Sequence, residues 1–476
     1  MSKFNVASST KVENKAGGRA FSMKPEQELV HAVLTTFLND KFYESGGDRI
    51  ERIKGLIAQC SAKFVSNLAI VARKEFNLRS VSHLLVGELS KIHRGDSLVK
   101  DTIIEVAIRP DDLTEIVAYV GTPIPKQVKR GVRNALLKYD RYKLAKYKGE
   151  NKKVTLVDLF NLVHPKVQHA DKEQKKAWKD LMTGKLTSFD TWETELSNAK
   201  TDTARKKALE SLVAEDKMGY MAILRNLNNF IKYGVSDKCR KQIIKKLTDR
   251  EEVKKSKQLP FRFINAFENV TGDREFSDAI SEAMDIAVDN TPELKGDILI
   301  AVDSSGSMTS GDKGGAIVKA SIFGATLLKA NKKADLILYS TSVQELSLSG
   351  RTPVIDLANS IKQKANGGGT ETSLVFRYAM QSAKKYSRII ILSDNESWNE
   401  DSVQSIYREY VRSSGNDPFV YAIDIEGYGT KDITGNKVFH LTGWSDRVLD
   451  FIGKIEDGEN LVEYIRNYKP KWVKNV

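Results

Sequence analysis

The chain has 476 residues, 41% of them hydrophobic, so it is long enough to bury more than one core and is expected to form two or three domains. Its apolar runs fall short of the roughly 18 residues that a membrane-spanning helix needs. Its polar start lacks the apolar stretch of a secretory signal, so a cytoplasmic protein is expected. The only cysteines, Cys60 and Cys239, are far apart in sequence, which argues against a disulfide framework or a zinc site with several thiolates.

The formal net charge of +13 at pH 7 is unevenly distributed. Residues 1–270 contain 51 Lys and Arg against 33 Asp and Glu, whereas the remainder contains 24 against 29. Basic residues are densest at 126–153, where tyrosines interleave with Lys and Arg. Phosphate-binding cations beside stacking rings are typical of single-stranded nucleic-acid binding, although a solvated helix face would explain the run equally well.

Residues 24–290 show helical periodicity almost throughout. Phe64, Leu68 and Val71 recur at the spacing of one helix face, behind a capping residue at Ser61. Segments of roughly 10 to 16 residues with short breaks predict an antiparallel stack of helices of the solenoid kind. Such a stack presents a long curved surface that suits a long ligand.

After residue 290 apolar runs of strand length alternate with amphipathic segments. Strands are predicted at 297–303, 334–340, 388–394 and 419–425, and helices at 314–331, 352–365, 374–386 and 403–414. This alternation predicts a doubly wound α/β domain with a parallel sheet. Ligands of such sheets bind beyond the carboxyl ends of the strands, where Asp303 and Asp394 lie.

Three segments of this domain supply candidate metal ligands. Asp303, Ser305 and Ser307 alternate just past the first strand, Thr370 follows a glycine-rich turn, and Asp394 ends a later strand. Oxygen donors with few carboxylates suit Mg²⁺, which keeps part of its water shell. An open coordination position would then accept an acidic ligand from a partner.

Other interpretations of this stretch fit less well. A phosphate-binding loop needs Gly-Lys followed by Ser or Thr, but Gly311 precedes Asp312 and Lys313. An aspartyl nucleophile would need a second acid two residues after Asp303, where Ser305 stands. A serine-capped turn without any ligand is the third alternative.

These residues carry a family resemblance. The segments LIAVDSSGSM, GGGTETSL and IIILSDNES resemble the metal-ion-dependent adhesion site of von Willebrand factor A domains. The segments RGVRNALLKYDRYKLAKYKGENKKVTLVDLFNLVHPK, MAILRNLNNF and LPFRFINAF are similar to the TROVE module of the Ro ribonucleoprotein autoantigen family. In that family a ring of HEAT-like helical repeats precedes a von Willebrand A domain, which is the order expected here.

The resemblance covers most of residues 20–460 and implies the domain limits. We expect a flexible segment at 1–23, a TROVE-like α-helical RNA-binding domain at 24–290, a Rossmann-like von Willebrand A domain at 291–465 and a tail at 466–476. The multidomain fold class is therefore an all-α HEAT-like ring followed by a doubly wound α/β domain.

The resemblance also implies function. We expect a monomeric, non-enzymatic scaffold that binds small noncoding Y-like RNA and single-stranded ends of misfolded or partly degraded RNA. An exoribonuclease is the candidate protein partner, and no association with a membrane is expected. The alternative is a metal-dependent protein-adhesion module on a basic scaffold without an RNA function.

The same resemblance assigns candidate site residues. The RNA-binding residues would be Arg130, Arg133, Lys143, Lys146, Lys148 and His164, and Mg²⁺ or another divalent cation would bind Asp303, Ser305, Ser307, Thr370 and Asp394. The segment KYKGENKKVTLVDL is one residue longer than the family segment, so the resemblance there applies to the basic face as a whole. For His164, a surface or capping role beside Pro165 is the alternative to an RNA contact.

Overall fold

The structure is a computed structural model. It describes residues 11–13, 19–34, 46–147, 153–187, 192–270, 272–291, 293–310, 315–397, 403–428, 430–435, 437–442, 452 and 461–470. These residues divide into two compact units. We call the described parts of 25–187 and 461–470 the helical unit, and those of 11–24 and 192–452 the sheet unit.

The helical unit consists of short amphipathic helices. Their bounds are α1 Pro25–Leu34, α2 Gly46–Gln59, α3 Ala62–Lys74, α4 Ser80–Ile92, α5 Leu98–Val106, α6 Pro110–Val120, α7 Lys126–Leu136, α8 Arg141–Lys146, α9 Leu156–Val163, α10 Lys172–Met182 and, near the end of the chain, α24 Leu461–Asn467. The predicted cap is confirmed, because the Ser61 hydroxyl accepts the amide hydrogen of Phe64 at 3.3 Å.

Alternate helices of this unit pack on each other. Helix α3 contacts α4 and α5, α4 contacts α6, α5 contacts α7, and α7 contacts α9. This arrangement confirms the predicted stack of helices, in which each helix covers the apolar stripe of its neighbours.

A buried ionic cluster joins α3, α4 and α6. The fully buried carboxylate of Asp112 accepts hydrogen bonds from Arg79 Nε at 2.6 Å, the Arg109 amide at 2.9 Å and Arg73 Nη2 at 3.0 Å. Burial alone would raise the pKa of Asp112, but hydrogen bonds from His83, Arg109 and Arg79 and the charge of Arg73 lower it well below its usual range. The cluster therefore holds the three helices together through one ionised carboxylate.

The sheet unit contains a six-stranded sheet and a small three-stranded one. The strands are β1 Lys11–Glu13, β2 Arg19–Ser22, β3 Ile298–Asp303, β4 Ala334–Tyr339, β5 Val343–Glu345, β6 Arg388–Ser393, β7 Phe419–Asp424, β8 Thr430–Lys431 and β9 Val438–Thr442. The large sheet has the order β5-β4-β3-β6-β7-β9, in which only the β4–β5 pairing is antiparallel. The small sheet is antiparallel, with the order β1-β2-β8.

Helices of the sheet unit lie on both faces of the large sheet. The helices of this unit are α11 Trp192–Asn198, α12 Asp202–Ala214, α13 Tyr220–Arg225, α14 Leu227–Lys232, α15 Asp237–Leu247, α16 Arg250–Ser256, α17 Ile264–Asn269, α18 Arg274–Ala287, α19 Gly306–Thr309, α20 Ala316–Ala330, α21 Val354–Lys364, α22 Ser373–Gln381 and α23 Val403–Ser414. Helices α20 and α21 lie on one face and α22 and α23 on the other, and further helices pack around them. Alternate residues of β3 serve the two faces: Ile300 packs in the core with α20 and α21, and Leu299 packs in the core with α22 and α23. This confirms the doubly wound fold class.

All four predicted strands are present, whereas β5, β9 and the small sheet were not predicted. Helices α12 to α18 share the core of the sheet unit, and the ring of Phe261 stacks on Phe323 of α20 with centroids 6.2 Å apart. The predicted domain limits at residues 23, 290 and 465 stay predictions.

Candidate functional site

The first candidate site lies at the carboxyl edge of the large sheet. Strands β3 and β6 are parallel neighbours, so Asp303 at the end of β3 lies beside Ser393, and Asp394 follows directly. Both aspartates are buried, with exposed fractions of 0% and 1%. The topology therefore brings together two of the predicted metal ligands, as expected for a parallel sheet.

Hydrogen bonds fix the Asp303 carboxylate in place. Its Oδ1 accepts the Ser305 amide hydrogen at 2.9 Å, and its Oδ2 accepts the Ser393 hydroxyl at 2.6 Å. The hydroxyl oxygens of Ser305 and Ser307 are 3.3 Å apart. The alternating Asp-x-Ser-x-Ser spacing thus places one carboxylate and two hydroxyls at the same point of the sheet edge.

The glycine-rich turn before Thr370 is held against this loop. The Gly306 amide donates to the Gly368 carbonyl at 2.8 Å, and the Gly367 amide donates to the Ser304 carbonyl at 3.0 Å. Gly367 and Gly368 have φ values of 72° and 94°, which glycine adopts readily and other residues rarely do. Thr370 is buried at 4% exposure, and its carbonyl accepts the Ser397 hydroxyl at 3.1 Å.

The donor set fits a small divalent cation. Among the described residues Oδ2 of Asp394 accepts no hydrogen bond although it is buried, and Oδ1 accepts a long bond of 3.3 Å from the Glu396 amide. Burial raises the pKa of Asp394 well above its usual range, and the negative charges of Asp303, Glu396 and Asp424 raise it further, against the lowering effect of the Ser307 hydroxyl. A cation between the two aspartates would favour their charged forms and supply the missing partner.

The chemistry of these donors favours Mg²⁺ over zinc. In the part of the chain that the structure describes, no three His, Cys, Asp or Glu side chains are grouped so that they could hold a metal. Two carboxylates with hydroxyls and water are sufficient for Mg²⁺, which binds few protein ligands. The metal assignment stays a prediction.

Several buried polar neighbours of this site were not predicted from the sequence. Asp424 ends β7 as Asp303 ends β3, and its Oδ1 accepts the Glu426 amide hydrogen at 2.9 Å. The Thr372 hydroxyl donates to Oδ2 of Asp432 at 3.1 Å. Asp424 could have been found from its place at the end of an apolar strand, whereas nothing in the sequence pattern near Asp432 pointed to this site.

The second candidate site is the basic surface of the helical unit. Helix α7 buries Val128, Val132 and Leu136 and exposes Arg130 on its other side. Arg133 is half-buried, and its Nε donates to the carbonyl of Val163 at 2.8 Å. Arg133 therefore satisfies a terminal carbonyl of α9, which is a structural role in addition to any contact with RNA.

Helix α8 carries basic side chains beside aromatic rings. Asp140 caps this helix by accepting the Lys143 amide hydrogen at 2.7 Å, and the Lys143 side chain is exposed. The Lys146 ammonium lies 5.7 Å from the ring centroid of Tyr142 and 5.9 Å from that of Tyr147. Tyr142 is 40% exposed, so one aromatic ring beside a cation is open to solvent.

His164 and Lys148 complete the set of predicted RNA-binding residues. His164 is exposed and follows α9 with a φ of 42°, in the left-handed region that ends many helices. The backbone of His164 therefore caps α9, which is the alternative role expected for this residue. The imidazole ring takes no part in the cap. Lys148 lies outside the described residues. None of these RNA contacts is tested by the structure, so all stay predictions.

Two family models match this chain. A family model for the TROVE domain matches residues 177–275, and a family model for the Ro60 vWA domain matches residues 297–455. The second match contains all five predicted metal ligands. The chain belongs to the Ro family.

Relatives of this Ro-family chain include two proteins named RNA-binding protein RO60. The protein from Caenorhabditis elegans is 23% identical over 279 residues, which are 54% of this chain and 43% of the relative. The protein from Deinococcus radiodurans is 29% identical over 207 residues, 38% of each chain. Mouse telomerase protein component 1 is 35% identical over 86 residues, 18% of this chain and 3% of that protein. The matches thus span less than half of each relative.

The fold of this Ro-family chain also resembles a solved structure. The crystal structure of the Deinococcus radiodurans RO (RSR) protein superposes with a TM-score of 0.64 and 19% identity, over 90% of this chain and 99% of that one. At this identity the likeness establishes the fold alone. A search of the described residues for a helix long and apolar enough to cross a membrane finds none.

Proposed function

We propose that this Ro-family chain binds RNA through the basic surface of its helical unit and acts as a scaffold, without catalysis. The observation that carries the proposal is the arrangement at α8, where the Lys146 ammonium lies within 5.9 Å of the centroids of two tyrosine rings and Tyr142 is open to solvent. Cations contact phosphates and exposed rings stack on unpaired bases. The TROVE match and the names of the two RO60 relatives support the same function.

The chemistry of α8 favours RNA with unpaired bases. A ring can stack only on a base that is free of a duplex, whereas duplex RNA offers mainly phosphates and 2′-hydroxyls. Single-stranded ends of misfolded or partly degraded RNA are therefore the proposed ligands, together with Y-like noncoding RNAs. We extend the proposal to a monomer in the cytoplasm that delivers such RNA to an exoribonuclease.

For the sheet unit we propose a Mg²⁺ site made of Asp303, Ser305, Ser307, Thr370 and Asp394. The buried and unpartnered Oδ2 of Asp394 is the observation that supports it. The bound cation would supply an open coordination position, to which a carboxylate of a protein partner could bind.

The RNA proposal is tested with the full chain by fluorescence anisotropy. The probes are an RNA hairpin with a single-stranded 3′ tail and the same hairpin with a blunt end. The variant replaces Arg130, Lys143 and Lys146 with alanine; Arg133 is kept because it bonds to Val163. The matched control replaces Lys332, Lys362 and Lys364, three exposed lysines of the sheet unit outside the TROVE-like region.

The wild type is expected to bind the tailed hairpin more tightly than the blunt one. The slope of log affinity against log salt should decrease by roughly 2 to 3 in the variant, since each phosphate contact contributes about 0.7 to 0.9. The control should keep most of the slope. Failure of the wild type to bind either RNA would contradict the proposal and favour the protein-adhesion alternative.

A further inference from the structure

Asp432 is a buried carboxylate that the proposed Mg²⁺ site does not use. It directly follows β8 and is 5% exposed. Its Oδ2 accepts the Thr372 hydroxyl at 3.1 Å, whereas its Oδ1 accepts no hydrogen bond from any described residue although it is buried. A buried carboxylate needs a paired charge or several donors, and one neutral hydroxyl does not compensate Asp432.

The acid with the strongest effect on Asp432 is Glu396. Burial raises the pKa of Asp432 well above its usual range, and the charge of Glu396 is the largest of the charges that raise it further. Burial likewise raises the pKa of Asp394, but there the largest charge effect comes from Asp303. The unpartnered oxygens of Asp394 and Asp432 therefore face different carboxylates, and a cation between Asp303 and Asp394 leaves Asp432 uncompensated.

Glu396 is fixed at the same edge of the sheet. Its side chain is 1% exposed, and its amide donates to Oδ1 of Asp394 at 3.3 Å. Its Oε1 accepts the hydroxyl of Thr430, the first residue of β8, at 3.3 Å. The loop after β6 and the end of β8 thus bring two buried carboxylates together from segments that are distant in sequence.

A buried hydroxyl without a partner lies in the same place. Tyr339 ends β4 and is fully buried. Burial raises the pKa of its hydroxyl well above its usual range, and the charges of Asp303 and Asp432 raise it further. The nearby hydroxyls of Ser393 and Thr372 oppose this effect. Although these groups are close, the Tyr339 hydroxyl forms no hydrogen bond with a described residue. It is therefore available to an ion or to the water shell of an ion.

We propose that Asp432, Glu396 and the hydroxyl oxygen of Thr372 bind a second divalent cation beside the proposed Mg²⁺ site. We call these three residues the Asp432 site. Carboxylate and hydroxyl oxygens suit Mg²⁺, Mn²⁺ and Ca²⁺. Two carboxylates are sufficient for such an ion when water completes its shell, and no three described His, Cys, Asp or Glu side chains are grouped for a metal. The Asp432 site offers fewer side chains than the Mg²⁺ site, so it binds its ion more weakly.

The cation at the Asp432 site would fix the small sheet to the edge of the large one. Strand β8 pairs with β2, with Ser22 opposite Thr430, and Asp432 directly follows β8. An ion held by Asp432 and Glu396 therefore restrains β8 and, through the ladder, β2. Opening of these strands becomes less frequent when the ion is bound, and their amide hydrogens exchange more slowly.

The test counts the ions bound by the full chain after equilibrium dialysis against Mn²⁺, which prefers the same oxygen ligands as Mg²⁺. Asp432→Asn removes one charge, and its side-chain oxygen can still accept the Thr372 hydroxyl. Asp303→Asn disables the Mg²⁺ site alone, and Asp356→Asn, on the exposed side of α21, is the matched control. Circular dichroism verifies folding, and Glu396→Gln replaces Asp432→Asn if that variant does not fold.

The wild type and the Asp356→Asn control are expected to bind two Mn²⁺ ions, the second more weakly than the first. Asp432→Asn should lose the weaker ion, with an affinity at least about tenfold lower, because a direct ligand is worth no less than an outer-shell partner. Asp303→Asn should keep it. Mn²⁺ should slow amide exchange in β2 and β8 of the wild type and of Asp303→Asn, but not of Asp432→Asn.

Several results would overturn the inference. They are a wild type that binds no ion, a single ion that Asp432→Asn retains, two ions in Asp432→Asn, and a single ion that both Asp303→Asn and Asp432→Asn lose, which would show one shared site. A single ion that Asp432→Asn loses and Asp303→Asn keeps would support the Asp432 site and refute the proposed Mg²⁺ site. The two proposals therefore fail in different ways.

Discussion

Replacing Asp303 with asparagine is expected to separate metal binding from folding at the sheet edge. Asp303 and Asp394 are both buried, and each is destabilised in its charged form by burial and, for Asp394, by the charge of Asp303. Asparagine keeps the size of the side chain and removes one charge. Its Oδ1 can still accept the Ser305 amide hydrogen, and its Nδ2 would donate to the Ser393 hydroxyl instead of accepting from it. Without metal, the variant should therefore be at least as stable as the wild type.

The magnitude of the metal effect follows from mass action. A cation at 100 times its dissociation constant stabilises the folded state by about 2.7 kcal/mol. For a domain of about 150 to 250 residues, 1 kcal/mol shifts the melting temperature by roughly 2 to 4 °C, so the wild type should gain roughly 5 to 10 °C in Mg²⁺. Asp303→Asn should gain less than about 2 °C, because one carboxylate with hydroxyls competes poorly with the water shell of Mg²⁺.

The assay is a pair of thermal melts, in EDTA and in millimolar Mg²⁺, on the full chain. Asp356→Asn is the matched control, since Asp356 is exposed on α21 of the same unit. It should show the full wild-type shift. RNA binding by Asp303→Asn should equal that of the wild type. A wild type without a metal-dependent shift would identify the site as a serine-capped turn, and a full shift in Asp303→Asn would exclude Asp303 as a ligand.

Three further outcomes are expected. Asp112→Ala should lower the free energy of unfolding by about 3 to 5 kcal/mol in urea melts, because it leaves Arg73 without its buried carboxylate; a loss below about 1 kcal/mol would contradict this. Because folding lowers the pKa of Asp112, the stabilisation by its carboxylate is present above a pH of about 4 and is lost as the pH falls towards the lowered pKa. His164→Gly should leave the melting temperature unchanged or raise it, because glycine adopts the φ of 42° without strain, whereas His164→Ala should lower it. RNA titration of the glycine variant then measures what the imidazole ring contributes to RNA affinity. A destabilised glycine variant would refute the capping role. Burial raises the pKa of Cys60 to about 12 and that of Cys239 to about 11. At pH 8 both thiols of the folded chain should therefore react with a thiol reagent at less than about a hundredth of the rate of a free cysteine, and unfolding should restore the reaction. Fast labelling of the native protein would refute this prediction.

The sequence by itself determined the main strands and the polar side chains at their ends. Continuous apolar runs that stop at Asp303 and Asp394 predict buried parallel strands, and the carboxyl ends of such strands meet at one edge. The helical stack was equally legible, because periodicity and caps such as Ser61 are local signals. These features depend on residues that are close together in the chain.

Only the tertiary structure showed which distant groups meet. The Ser393 hydroxyl bonds to Asp303, Asp432 accepts from Thr372, and Arg133 donates to a carbonyl of another helix. The short strands β5 and β9 also escaped prediction, since three to five residues carry too little periodicity to identify a strand. Burial and pairing between segments far apart in sequence are set by packing, and packing has no local pattern in the chain.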